Sequence, residues 1–129
     1  PENPDVSTGT ATFKSLMGGR FVQQDFESEI HGTKFHGMGI KGYDNALKRF
    51  VGSWIDDMGT GIMRTTGVVD PETGIMTETG ESSSPIGAIS YRMTTEPEGA
   101  NRFLFTMYMA MPDADEQKVM EITYTRKDQ

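Results

Sequence analysis

Apolar and polar residues alternate along most of the chain, in short runs separated by residues that favour turns. The alternation is clearest in 102–111, where phenylalanine and methionine occupy every second position, and in 117–126. A period of two is typical of β-strands that have one buried face. The pattern therefore predicts nine strands, which cover residues 9–15, 21–26, 34–43, 48–56, 61–70, 75–81, 88–95, 102–111 and 117–126.

Short turn sequences separate these runs. Residues 70–74 read Asp-Pro-Glu-Thr-Gly, in which the proline presets φ and the glycine accepts a positive φ, so a hairpin turn is predicted. Residues 96–99 and 112–115 are similar, whereas the serines of 82–85 predict a longer loop. Because the connections are short and sequential, we expect one domain over 1–129. Its predicted fold is an all-β, mostly antiparallel meander that closes into a barrel of about nine or ten strands.

Residues 37–61 contain the single tryptophan, six glycines and the motifs that connect this chain with a known family. Gly42-Tyr43-Asp44 and Trp54-Ile55-Asp56-Asp57-Met58 resemble the GYD turn and the W-x-D-x-M strand end of the DUF1579 family, which comprises bacterial proteins of undetermined function. Residues 17–21 and 120–126 resemble that family's GGR-aromatic strand start and its closing strand. The resemblance implies a lipocalin-like barrel. It also implies that the family's first strand, with its Gly-x-Trp, is missing here.

The segment 46–58 has two interpretations. Its apolar residues fall at helical spacing, with Asp44 or Asn45 in place for an N-cap and Gly59 for a C-cap. Against a helix, a glycine lies in the middle of the segment, and the same residues form the fourth predicted strand, in which Trp54 packs over a glycine. The family resemblance favours the strand.

Composition narrows the classes of function. The net charge is −7 and the 12 basic residues are scattered, so no nucleic-acid partner is predicted, because phosphate backbones are bound by clustered Lys and Arg. The absence of cysteine excludes a disulfide scaffold, a thiolate metal site and a cysteine nucleophile. No apolar run approaches the roughly eighteen residues of a membrane span. We expect a soluble bacterial protein, and the sequence does not choose between cytoplasm and periplasm.

Two motif-like patterns are weak evidence for cofactor or metal chemistry. Residues 37–42 match G-x-G-x-x-G, but that fingerprint requires a buried parallel strand before it and a helix that begins within it. Residues 31–36 are too polar for such a strand, so we interpret the glycines as places where a strand bends beneath a large aromatic ring. His31 and His36 lie five residues apart and face opposite sides of a strand, so no metal site is predicted.

The leading functional hypothesis is a non-enzymatic barrel that binds one small, largely apolar molecule. Ten methionines and the aromatic residues of the strands suit an adaptable apolar lining, and no cofactor is identified. Charged residues within the strand patterns either face solvent or face inward in pairs, and an inward arginine would suit a ligand with a carboxylate. These charged residues are Arg64, Glu78, Arg92, Glu121 and Arg126. The predicted ligand-binding residues are Tyr43, Phe50, Trp54, Met63, Tyr91, Arg92, Phe105, Met107 and Tyr124.

Two other classes of function stay open. An enzyme acting in the lumen would use His36 beside a carboxylate, whereas the neighbours Asp56 and Asp57 face apart on a strand and make a poor acid–base pair. A structural role would involve self-association, most simply as a homodimer. Lys14 alone protects the first predicted strand from pairing with another chain, and 102–111 is apolar on both faces unless a loop covers one of them.

Overall fold

A computed structural model describes residues 9–30 and 32–127, which form one nine-stranded sheet. Each strand pairs antiparallel with the next one along the chain, so the order in the sheet is the order in the sequence. The predicted all-β antiparallel meander is confirmed. His31, one of the two histidines considered from the sequence, lies outside the described residues. The strands are β1 Gly9–Leu16, β2 Phe21–Ile30, β3 Thr33–Asp44, β4 Arg49–Asp56, β5 Met63–Val69, β6 Met76–Ser84, β7 Gly87–Pro97, β8 Arg102–Ala110 and β9 Gln117–Thr125.

The sheet is strongly curled. Phe13 on β1 and Phe103 on β8 are seven strand spacings apart in the sheet order. That separation is roughly 33 Å along a flat sheet, yet their ring centroids lie 6.5 Å apart. The two rings therefore lie on the concave face of a half-barrel. Within the described ranges no backbone ladder joins β9 to β1, so the two ends of the sheet meet through side chains.

Aromatic side chains connect the first two strands with the last two. Phe103 stacks on Tyr124 with the ring centroids 4.5 Å apart, and Phe26 meets Tyr124 edge-on at 6.3 Å. The Gln24 side-chain amide donates a hydrogen bond of 3.4 Å to the Tyr124 hydroxyl. Burial raises the pKa of the Tyr124 phenol, and the hydrogen bond from Gln24 offsets part of that rise. This cluster holds the curl without a backbone ladder between the ends of the sheet.

The segment 46–58 contains a strand and no helix, as the family resemblance favoured. Residues Arg49–Asp56 form β4, which pairs with β3 and β5. The Asp44 carboxylate accepts hydrogen bonds from the backbone N–H groups of Ala46 and Leu47. The predicted N-cap therefore exists, but it caps a single turn between two strands.

The glycines of the G-x-G-x-x-G pattern are a packing surface for aromatic rings. They lie within β3, and no helix begins there. The Trp54 ring covers Gly37 and Gly39 so closely that a Cβ on Gly37 would overlap the indole, while the Phe21 ring covers Gly42 on the opposite face. A dinucleotide site is thereby excluded at this motif, because it needs a helix N-terminus beside the phosphates.

The predicted longer loop at 82–85 is wrong. β6 continues to Ser84, and a two-residue turn leads directly into β7 at Gly87. The Ser84 hydroxyl donates a hydrogen bond of 2.7 Å to the Gly87 carbonyl and accepts one of 3.3 Å from the Ile86 N–H. Gly87 has a φ of 124°, which side-chain-bearing residues rarely adopt. Serine hydrogen bonding and one glycine thus close a tight hairpin.

Candidate ligand-binding face

The concave face is lined by aromatic rings and thioethers. Successive side chains along a strand point to opposite faces, so the strand register fixes which residues share the face of Phe13 and Phe103. Eight of the nine predicted ligand-binding residues share it, and their role in binding stays a prediction. These residues are Tyr43, Phe50, Trp54, Met63, Tyr91, Phe105, Met107 and Tyr124.

These side chains do not fill the space that the sheet encloses. Among the apolar side chains of the described ranges, only that of Met93 is buried, with 4% of its surface exposed. Tyr43 is 50% exposed, and the other seven residues of the predicted set are half-buried. Apolar area on the concave face therefore remains in contact with water.

An ion pair lies within this apolar face. The Lys41 ammonium on β3 donates to Glu78 Oε1 on β6 at 2.9 Å and lies 2.8 Å from Oε2. Glu78 is 5% exposed, whereas the Lys41 side chain is 40% exposed. The Met76 sulfur lies 4.0 Å from the same nitrogen. Burial of the carboxylate is tolerated because it is paired.

A glycine makes room for this ion pair between the two strands. Gly67 on β5 is the register partner of Glu78, and a Cβ at this position would lie 2.6 Å from Glu78 Cγ. The side chain of Glu78 therefore lies across β5 towards β3. The sequence patterns did not single out Lys41. A usable signal was its place two residues from both Gly39 and Tyr43 on β3, which puts its side chain on the same face as theirs.

Asp56 is the other charged residue on the concave face among the described strand residues. Its carboxylate accepts a hydrogen bond of 3.0 Å from the Trp54 indole N–H and another of 3.0 Å from the Met58 backbone N–H. Asp57 instead accepts from the backbone N–H of His36 at 3.2 Å. The two carboxylates therefore accept hydrogen bonds from different partners, which agrees with the expectation that these neighbouring residues face apart.

Arg92 does not lie with the rest of the predicted set. It follows Tyr91 on β7 and therefore points to the convex face, where its guanidinium lies 4.1 Å from the centroid of the Tyr108 ring. It also donates to both oxygens of Glu116, at 2.9 and 3.0 Å. These hydrogen bonds raise the pKa of Arg92 and lower the pKa of Glu116. Arg92 thus binds a neighbouring loop and does not provide a cation to the concave face.

The strand register also assigns the other charged strand residues considered from sequence to one face of the sheet. Arg64 pairs in register with Glu81 on the convex face, and Glu121 accepts a hydrogen bond of 2.6 Å from Lys118. Arg126 follows β9 and is exposed. Of the four that lie within strands, Glu78 alone faces the concavity, and it is paired there as an inward charge must be.

His36 does not meet the requirements of a base inside the half-barrel. It lies on the convex face, and its side chain is 54% exposed. Its Nε2 atom is 3.6 Å from Asp25 Oδ1, and Asp25 is itself 40% exposed. A solvated pair outside the concave face cannot act on a molecule held inside it.

Two shallow grooves lie outside the centre of the concave face. One of about 580 Å³ lies at the ends of β1 to β3 beside His36 and Asp57. The other, of about 600 Å³, runs along β5 to β8 and is bordered by Arg64, Arg92 and Glu116. Both are bordered mainly by polar and charged residues and are open to solvent, so neither encloses a small molecule.

Fold and side-chain placement together define an antiparallel half-barrel with an open aromatic concave face and an ion pair that joins β3 to β6. The chain belongs to the DUF1579 family, described as a protein of unknown function, whose sequence profile matches residues 1–126. The resemblance drawn from the motifs is confirmed. None of the curated proteins compared with the chain matches it. No helix in the described ranges is long and apolar enough to cross a membrane.

Proposed function

We propose that the concave face binds one small, largely apolar molecule and that the protein is a binding module, not an enzyme. The supporting observation is the partial exposure of the aromatic and methionine side chains on a curved surface. Removing apolar area from water contributes about 25 cal/mol per Å². A ligand that covers these side chains therefore gains affinity without any rearrangement of the sheet.

The chemistry of the face is that of a binding site with few polar groups. Methionine side chains adapt to ligand shape because they are unbranched and polarizable. Lys41 and the hydroxyl of Tyr91, which lies 3.1 Å from Ser82 Oγ, are polar groups that can orient a ligand. The non-enzymatic proposal follows from the position of His36, the best candidate base in the sequence, on the opposite face.

Two neighbouring residues of β8 provide a matched test of this proposal. Phe105 faces the concavity and Leu104 faces away from it, and both are half-buried. We expect Phe105→Ala to weaken binding of the neutral apolar probe phenylnaphthylamine by about tenfold or more. Leu104→Ala should leave the affinity nearly unchanged. Quenching of Trp54 fluorescence measures both affinities, because Trp54 is the single tryptophan and lies on the same face.

Equal losses in the two variants would show that stability, and not the concave face, controls binding. A titration that leaves the fluorescence unchanged in the wild-type protein would remove the proposal.

Self-association is a second candidate property, and one observation favours it. In the described part of the chain β1 pairs only with β2, and the single charged residue among its eight is Lys14. An edge with so little charge is a template for strand pairing. The convex side of β8 is a weaker candidate surface, because Arg92 covers Tyr108 there. We therefore propose that two copies pair along β1.

This homodimer can be tested with two threonine substitutions. Thr12→Lys adds charge to the edge strand, whereas Thr79→Lys adds the same charge to the exposed convex face of the central strand β6. Light scattering should give about twice the 14.3 kDa of one chain for the wild type and Thr79→Lys, and one chain for Thr12→Lys. A monomeric wild type at micromolar concentration contradicts the proposal.

A further inference from the structure

We infer that the ligand of the concave face is uncharged and that its polar end is a neutral hydrogen-bond acceptor, such as an alcohol, ketone or amide oxygen. This inference rests on the proposed binding function and specifies its ligand class. It replaces the carboxylate ligand that an inward arginine would have suited, because Arg92 lies on the convex face.

The argument begins with the charges that a ligand would meet. Among the described strand residues, the concave face carries one cation, Lys41, and two carboxylates, Glu78 and Asp56. The ammonium already donates to Glu78 Oε1 at 2.9 Å and lies 2.8 Å from Oε2. A ligand carboxylate would have to share this ammonium with Glu78 and would add a third negative charge to the face. Like charges on one face disfavour each other.

A cationic ligand is disfavoured for a different reason. Both carboxylates are already engaged: Glu78 is buried beneath its ion pair, and Asp56 accepts from the indole of Trp54 and the N–H of Met58. The exposed member of the ion pair is the ammonium of Lys41. An approaching ligand therefore meets positive charge first, and a second cation would be repelled.

A neutral acceptor satisfies the geometry without adding charge. An ammonium has three N–H donors, and the Glu78 carboxylate engages at most two of them through its two oxygens. The Met76 sulfur, 4.0 Å from the nitrogen, is only a weak acceptor. When a ligand excludes water from the face, the remaining donor therefore needs an oxygen partner, because an unmade hydrogen bond to a buried charge is costly. A carbonyl or hydroxyl oxygen provides that partner and leaves the ion pair intact.

The test compares three probes of equal chain length, decanol, decanoate and decylammonium, at neutral pH and below their solubility limits or micellar concentrations. A shift in the emission maximum of Trp54 reports binding to the wild-type protein. We expect decanol to bind about tenfold more tightly than either charged probe. Equal or tighter binding of decanoate or decylammonium overturns the inference while the proposed function stands. Failure of all three probes overturns the proposed function and the inference together.

Neutralising Glu78 tests whether the ion pair causes the preference for an uncharged ligand. Glu78→Gln retains an acceptor for Lys41 and removes the competing charge, so decanoate should gain about tenfold relative to decanol. Glu81→Gln removes the same charge from an exposed convex position on the same strand and should leave the preference unchanged. An equal change in both variants, or in neither, overturns the role of the ion pair. If Glu78→Gln fails to fold, the wild-type ranking of the probes still decides the inference.

Discussion

Replacing Lys41 with methionine should lower the free energy of unfolding by about 2–3 kcal/mol, although the two side chains are similar in length. The substitution removes the ammonium that lies 2.8 Å from the Glu78 carboxylate, which is 5% exposed. Loss of one partner leaves a buried charge uncompensated, and that costs more than the intact pair contributes. The expected loss lies below the roughly 3–5 kcal/mol of a fully buried pair because the lysine side is open to water. Urea unfolding followed by circular dichroism measures it.

Two further variants separate the buried charge from lost packing. The double variant Lys41→Met, Glu78→Met removes both charges together and should recover most of the stability, because an ion pair can be replaced by apolar groups of similar volume. Lys118→Met removes a lysine whose partner Glu121 is half exposed, and it should cost less than about 0.5 kcal/mol. Similar losses at positions 41 and 118 would show that Glu78 reaches water in solution.

Local sequence signals predict the strands because they depend on neighbouring residues. Alternation places all nine strands, and the Asp-Pro-Glu-Thr-Gly turn appears where Gly74 adopts a φ of 76°. The serine run at 82–85 was misinterpreted because serine composition alone does not distinguish a loop from a strand end whose hydroxyls close a hairpin. The curl depends on contacts such as Phe13 with Phe103, which are far apart in sequence and have no local signal.

The face on which each side chain lies was predicted less well than the strands, and Arg92 shows why. Tyr91 and Arg92 are adjacent on β7, so period-two alternation already prevents both from lining one face. Lys41 was missed because a lone lysine between an isoleucine and a glycine resembles a solvated position. Its pairing with Glu78 requires the sheet to bring β3 and β6 together, which the alternation of either strand does not specify.

Of the described glycines, Gly37 has the least room for a side chain. The second large prediction is therefore that Gly37→Ala lowers the free energy of unfolding by about 2 kcal/mol. A Cβ at this position overlaps Trp54 Cζ2 and lies 2.9 and 3.0 Å from two further atoms of the indole. Strand propensity alone would favour alanine over glycine by about 0.5–1 kcal/mol, so a net loss identifies the steric cost. The displaced ring should also lose its 3.0 Å hydrogen bond to Asp56, which shifts its fluorescence.

The controls assign this loss to the indole ring. Gly59→Ala introduces the same methyl group where no atom lies within 4 Å and φ is not positive, so stability and fluorescence should stay unchanged. In a Trp54→Phe background the smaller ring leaves space above Gly37, so Gly37→Ala should cost less than in the wild type. The difference between the two costs, measured by urea unfolding in a double-mutant cycle, is the interaction between the added methyl group and the indole. Equal costs in both backgrounds would show that the backbone of β3, and not Trp54, requires glycine at this position.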